Sequence, residues 1–188
     1  MNKLMCIFLF FCINYAYAQV DSPKEIRREK AYQKTGDILQ LALPVGAGLT
    51  TLFVKDEEGF WQLMKSYGTT IAITYGVKYL INKPRPEGAS DGLAFPSGHT
   101  ASAFSGASFI QRRYGWTYGA PAYALAGFVA YSRIEGYNDR HDGWDVLAGA
   151  IVGIGSTYIF TTPYQRDHYE LTFSSDNDVY LLGIKYKF

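Results

Sequence analysis

The sequence predicts an all-α protein: a membrane-embedded bundle of five to six helices carrying a short C-terminal β-hairpin. Three observations predict it. Several uncharged stretches have about the length that a bilayer crossing requires, among them Ile38 to Val54, Tyr114 to Ser132 and Val146 to Gln165. Within them small residues recur at four-residue spacing, Ala103 with Ala107 and Gly149 with Gly153, which lets helix backbones approach closely. The tail changes period: "YELTFSSDNDVYLLGIKYKF" alternates on either side of Ser174 to Asp178, the pattern of a hairpin.

Taken in order, the elements divide the chain into four parts. Residues 1–18 read as a secretory signal, with basic Lys3, an apolar run from Leu4 to Ile13, and Ala16-Tyr17-Ala18 as the cleavage site. Both cysteines, Cys6 and Cys12, fall inside it, so the exported chain has no thiol or disulfide. Residues 19–37 form a short charged helix, opened by Ser22 with Pro23 and Glu25 as a capping box, its charges solvated or interfacial. Residues 38–165 form the helical bundle, and residues 166–188 the hairpin tail, which covers one end of it. Arg112-Arg113, read as a short loop, suit the cytoplasmic side, whereas the basic residues from Lys24 to Lys34 lie outside, so the charge bias is mixed. Many Tyr and Thr residues and a mean hydropathy of −0.09 leave a soluble bundle as the alternative.

The 188 residues suffice for one domain with a real core. A net charge of +1 shows no nucleic-acid footprint. The glycines of "GIG" make no dinucleotide fingerprint, and no carboxylate–histidine cluster resembles a two-metal site, so neither cofactor nor metal is expected.

Chemistry concentrates at the ends of the apolar helices. "FPSGHT", Phe95 to Thr100, enters a helix through a Ser-Gly turn; the first N–H groups of a helix lack intrahelical partners and suit an anion, with His99 placed to deliver a proton. Upstream, "KYLINKPRP" sets Lys78 seven residues before Arg85, two helical turns apart on a shared face, with Pro84 and Pro86 ending the helix. A point-charge Lys and a forked Arg together grip a tetrahedral dianion. Lys83 lies on another face and is the weaker candidate. Downstream, Arg133 ends one apolar helix, and His141 and Asp145 open the next. Their four-residue spacing lets the carboxylate hold one ring nitrogen while the other attacks. Asp142 reads as the helix N-cap. His168 has no such company and reads as surface.

Lys78-x6-Arg85-Pro86, Pro96-Ser97-Gly98-His99 and Ser132-Arg133…His141-x3-Asp145 resemble the three signature motifs of the type 2 phosphatidic acid phosphatase superfamily, which also holds bacterial class A acid phosphatases and vanadium haloperoxidases. The seven residues between Arg133 and His141 exceed the family's usual spacing. The resemblance implies His141 as a nucleophile forming a phosphohistidine, Asp145 as its orienting partner and His99 as the general acid. It implies Lys78, Arg85, Arg133, Ser97 and the Gly98 N–H as phosphate ligands. The expected function is hydrolysis of a lipid phosphate monoester or diphosphate, in the bacterial cell envelope, at a periplasm-facing site of the cytoplasmic membrane. The alternatives are a soluble periplasmic acid phosphatase, a vanadate-dependent haloperoxidase and a non-catalytic membrane binding protein.

Overall fold

The computed structural model describes residues 22–85, 93–137, 141–164, 169–176 and 179–186. The expected signal segment, Pro86 and His168 lie outside the described residues. Among the described residues there are five helices, α1 (Pro23–Phe53), α2 (Glu57–Ile81), α3 (Gly98–Tyr114), α4 (Trp116–Ile134) and α5 (Gly143–Phe160). Strands β1 (Tyr169–Asp176) and β2 (Val179–Tyr186) follow as an antiparallel pair, with Tyr169 opposite Tyr186. The all-α bundle with a terminal hairpin is therefore the fold observed.

Ser22 caps α1, its side chain accepting from the Glu25 N–H while Glu25 accepts from the Ser22 N–H. The helix then runs 31 residues without a break. The division at Asp37 thus falls inside one helix: nothing between charged start and apolar continuation stops it, because neither Gly36 nor Pro44 interrupts the turn geometry. The charged start is not wholly solvated either. Tyr32 packs edge-on against Phe128 and Tyr131 of α4, and Lys30 lies over the Tyr137 ring.

Helix α3 is the central element, packed on α1, α2, α4 and α5. Its small side chains make this possible. A Cβ on Gly149 would stand 2.4 Å from the Ser97 carbonyl oxygen, and one on Gly153 the same distance from that of Ala101, so α5 rests directly on the α3 backbone. Ala103 and Ala107 are buried with Leu43, Ala122, Ala126 and Val129. Much of the remaining interior is hydroxylic. Ser102 donates to the Gln40 carbonyl at 2.7 Å and bonds Tyr67, Ser105 bonds Thr157, and Ser108 bonds Tyr123.

The exterior is the reverse. Ile38, Leu41, Val45, Leu49 and Leu52 make an exposed stripe along α1, and Leu125, Leu147, Ile151 and Ile159 are exposed on α4 and α5. An apolar outside around a hydrogen-bonded inside is the arrangement a bilayer favours, because lipid tails solvate apolar side chains and interior hydroxyls join the helices. The near-zero mean hydropathy comes chiefly from the 19% of charged residues, which offset the apolar exterior in the average. Exposed Trp61, Trp116 and Tyr118 sit at one end and Tyr79, Tyr131 and Trp144 at the other, as interfacial aromatics do.

Two expectations change. Arg112 and Arg113 belong to the last turn of α3, not to a loop. Arg113 is buried, donating through Nε and Nη2 to both oxygens of Asp56 at 2.8 and 2.6 Å. Its charge is neutralised within the fold, so it contributes little to any loop-charge bias. The hairpin, expected to cover the bundle's end, leaves Phe173, Leu182 and Ile184 largely exposed, with Phe173 stacked on Tyr180.

Candidate active site

Three segments meet at the end of the bundle where α1, α3 and α5 begin. Helix α2 stops at Ile81 because Asn82 adopts the left-handed conformation, φ 51°, at its C-cap. The chain then doubles back, Pro84 bridging Leu93 and the Ala94 N–H donating to the Lys83 carbonyl at 2.8 Å. Lys78 and Arg85 therefore do not share a helical face, as the spacing suggested. Arg85 lies beyond the helix end at Asn82, and its charge still acts on Lys78. The Lys78 ammonium donates to the carbonyls of Leu93 and Pro96 at 2.8 and 2.9 Å, so it also fastens the Phe95–Thr100 turn.

That turn is tied to α5 as well, the Ser97 N–H donating to the Asp145 carbonyl at 2.8 Å. Ser97 is the N-cap of α3 and is fully buried. Its hydroxyl oxygen accepts from the Thr100 hydroxyl at 3.0 Å, an employment that the sequence reading, which gave it to phosphate, did not include. Gly98 opens the helix, and a Cβ there would meet nothing nearer than Thr74 Cγ2 at 3.8 Å, so packing alone does not require glycine.

His141 and Asp145 are buried. Nδ1 of His141 stands 3.5 Å from Asp145 Oδ2, a close charge contact that falls short of hydrogen-bond geometry. Asp142 is the N-cap of α5, as expected, in a reciprocal capping box with Asp145. Burial, then the charges of Arg85, Lys78, His99 and Arg133, push His141 down to about 3, so it is neutral at physiological pH. The charges acting on His141 thus include the other imidazole and all three expected cations. Residues 138–140 lie outside the described residues, yet the longer Arg133–His141 spacing leaves both side chains in place.

Two residues enter that the sequence reading undervalued. Lys83, the weaker candidate, bridges Asp142 and Asp145, its Nζ 2.7 Å from Asp145 Oδ1. Burial opposes its charge, but the two carboxylates outweigh this and hold the ammonium above its ordinary range. Asp37, on α1, was not singled out. Its Oδ1 lies 3.1 Å from His99 Nε2 and 2.8 Å from Arg133 Nη1. Arg133 is 1% exposed and is further held by the Gln33 carbonyl at 2.8 Å and the Ser132 hydroxyl. A Cβ on Gly36 would stand 2.0 Å from Ser132 Oγ, so this glycine is what lets α1 close against the arginine. The available signal was that Asp37 is the last charge before the uncharged run, at the same end as the motifs.

The chain is similar to known proteins. The sequence pattern of the PAP2 superfamily matches residues 59–169. Lipid A 4'-phosphatase of Helicobacter pylori is 31% identical over 183 residues, 91% of this chain and 89% of that one. Lipid A 1-phosphatase of Porphyromonas gingivalis is 43% identical over 81 residues, 41% of this chain and 17% of that protein. Among solved structures, Aquifex aeolicus LpxE shares the fold with a TM-score of 0.60 over 81% of this chain and 92% of that one, at 22% identity. With the pattern spanning more than half of the sequence and a relative aligned over nearly all of it, the chain belongs to the PAP2 superfamily and is a phosphomonoester hydrolase.

Proposed function

We propose that the protein removes a phosphate monoester from a membrane lipid at the outer face of the cytoplasmic membrane, through a phosphohistidine intermediate, with lipid A as the first substrate to test. The observation that carries this reading is that the charges of His99, Lys78, Arg85 and Arg133 act on the buried His141 at one end of an apolar-walled bundle. A lipid suits it because exposed Leu80, Ile81 and Trp144 flank the segments that bear Lys83, Arg85 and His141. The names of the two curated relatives point to lipid A. The expected export signal supports the outer face: α1 begins at the site's end of the bundle, and a chain emerging from such a signal would begin outside.

With Nδ1 of His141 turned to Asp145, Nε2 is the attacking nitrogen. Its lone pair forms the P–N bond as the P–O bond to the lipid breaks, and His99 passes a proton to the departing oxygen. His99 then takes a proton from the water that cleaves the phosphohistidine, which restores both imidazoles. Arg85, Arg133 and Lys78 meet the charge on the transferring group, with the Gly98 and His99 N–H groups at the start of α3. Gly98 keeps that approach open. Asp145 steadies the positive charge His141 gains, and Lys83 fixes Asp145.

The test is phosphate release from lipid A, phosphatidic acid and phosphatidylglycerophosphate in detergent micelles, native chain against His141→Ala. Release from a lipid by the native chain and none by the variant is expected, with an acid-labile, base-stable phosphoenzyme trapped in the native chain. Release from water-soluble esters and from no lipid would leave an acid phosphatase. Equal release by the variant would remove His141 from the chemistry.

A further inference from the structure

We propose that Asp37 is a positioning residue of the reaction, holding the His99 acid and the Arg133 fork together on one carboxylate supplied by α1. The proposal rests on the phosphatase reading above and goes beyond the three motifs, to which Asp37 does not belong.

The geometry is specific. One oxygen, Oδ1, accepts from Arg133 Nη1 at 2.8 Å and faces His99 Nε2 at 3.1 Å, so a single atom sets the separation of two groups that arrive from α3 and α4. The helix that presents it is anchored just before it. One turn earlier, the Gln33 carbonyl takes Arg133 Nη2, and one residue earlier Gly36 admits Ser132 and the arginine against the backbone. Arg133 is buried, whereas the Asp37 side chain is 45% exposed. A carboxylate whose purpose was to neutralise a buried arginine would be expected inside with it. This one stands at the rim, where solvent and substrate reach it.

Two consequences follow. A carboxylate on Nε2 favours the charged imidazole, the form that a general acid needs at the start of the cycle. With Nε2 on Asp37, the proton that passes to the departing oxygen leaves from Nδ1, and it is regained there from the attacking water. The cation that the geometry places beside His99 is Arg133, on the same Asp37 oxygen. A positive neighbour disfavours a charged imidazole, and the Asp37 carboxylate offsets it.

The experiment uses the full chain in detergent and two substrates, a phospholipid monoester with an alkoxide leaving group and p-nitrophenyl phosphate, whose leaving group departs with little proton assistance. Asp37→Asn keeps an oxygen for Arg133 and removes the charge. The expected result is a fall in kcat of about 10- to 100-fold on the lipid, within the range general acids contribute, against less than about 3-fold on the nitrophenyl ester. Asp37→Glu, which returns a carboxylate, recovers part of the lipid kcat. Equal losses on both esters, or none on either, would overturn the proposal while leaving the phosphatase reading intact. A native chain that hydrolyses neither ester overturns both. Should the Asn variant fail to fold by thermal unfolding, the Glu variant decides alone: a lipid-to-nitrophenyl kcat ratio equal to that of Asp37→Ala refutes the role.

Discussion

Replacing Asp145 with Asn tests the site at its most constrained atom. The carboxylate serves three groups at once: Oδ1 takes the Lys83 ammonium at 2.7 Å, and Oδ2 takes the Asp142 N–H at 3.2 Å and faces His141 Nδ1 at 3.5 Å. An amide has one oxygen for these positions. If that oxygen stays with Lys83, the NH2 group turns to the Asp142 N–H, where donor meets donor, and to His141 Nδ1, which must then accept. A neutral imidazole that accepts at Nδ1 carries its proton on Nε2, so the nitrogen that should attack phosphorus has lost its lone pair. The flipped amide instead directs its donors at the Lys83 ammonium, which cannot accept. Neither orientation leaves a nucleophile and a satisfied cap together. The analogous change in a serine protease triad, which traps the wrong tautomer, costs about 10⁴ in kcat, or roughly 5.5 kcal/mol of barrier. A loss of that order is expected here, with KM within about threefold, because the phosphate-binding cations stay in place. Initial rates of phosphate release on a lipid monoester measure it, and rapid quench measures the phosphoenzyme. Asp145→Asn with kcat within tenfold of native would refute the tautomer argument and the role of Asp145 as orienter.

Two further outcomes test the fold around the site. Unfolded, His141 takes a proton below its ordinary value of about 6.5, but in the folded chain it refuses one until about 3. Between those values the unfolded state binds more protons. Stability is therefore intact above the window and falls as pH drops through it, by up to about 1.4 kcal/mol per pH unit from this group; unfolding midpoints from pH 7 to 4 should fall less steeply for His141→Ala than for the native chain, and parallel curves would contradict the burial argument. At the opposite end, Arg113→Ala leaves the nearly buried Asp56 carboxylate without its guanidinium, a change expected to cost about 3–5 kcal/mol and to lower Tm while kcat per folded molecule is unchanged; an unaltered Tm would show that the pair contributes nothing.

The motif residues were legible because their chemistry is written in residue type and short spacing. His141 with Asp145, Ser22 with Glu25 and Asp142 as a cap are contacts within one helical turn. What escaped the sequence are contacts whose partners lie far apart. Asp37 meets Arg133 across a separation of 96 residues and Asp56 meets Arg113 across 57. No period in the chain encodes which helix a carboxylate will face once small residues have set the packing. Lys83 was misjudged for a related reason. It was assigned a face of a helix that ends at Ile81, and the reversal at Asn82 turns it onto α5 instead. Arg85 likewise lies beyond the end of that helix, so the helical-face argument for it does not hold.

The charge pattern of the site also explains why such a polar helix lies at the centre of the bundle. The start of α3 presents partly positive N–H groups, and Lys78, Lys83, Arg85 and Arg133 stand around it against Asp37, Asp142 and Asp145. Burial and the surrounding cations together make a further positive charge on His141 costly. In the proposed reaction a phosphate dianion offsets that cost where the imidazole gains its charge. Holding four cations in such an array demands a rigid frame that tolerates little adjustment. Hydroxyls of Ser102, Ser105, Ser108, Thr70 and Thr157 supply cross-links from α3 to its neighbours, and Gly149 and Gly153 bring α5 into backbone contact with it. A core of large apolar side chains would separate the helices and admit slippage between them. On this argument the serines and threonines of the core are what keep His141 and His99 in register.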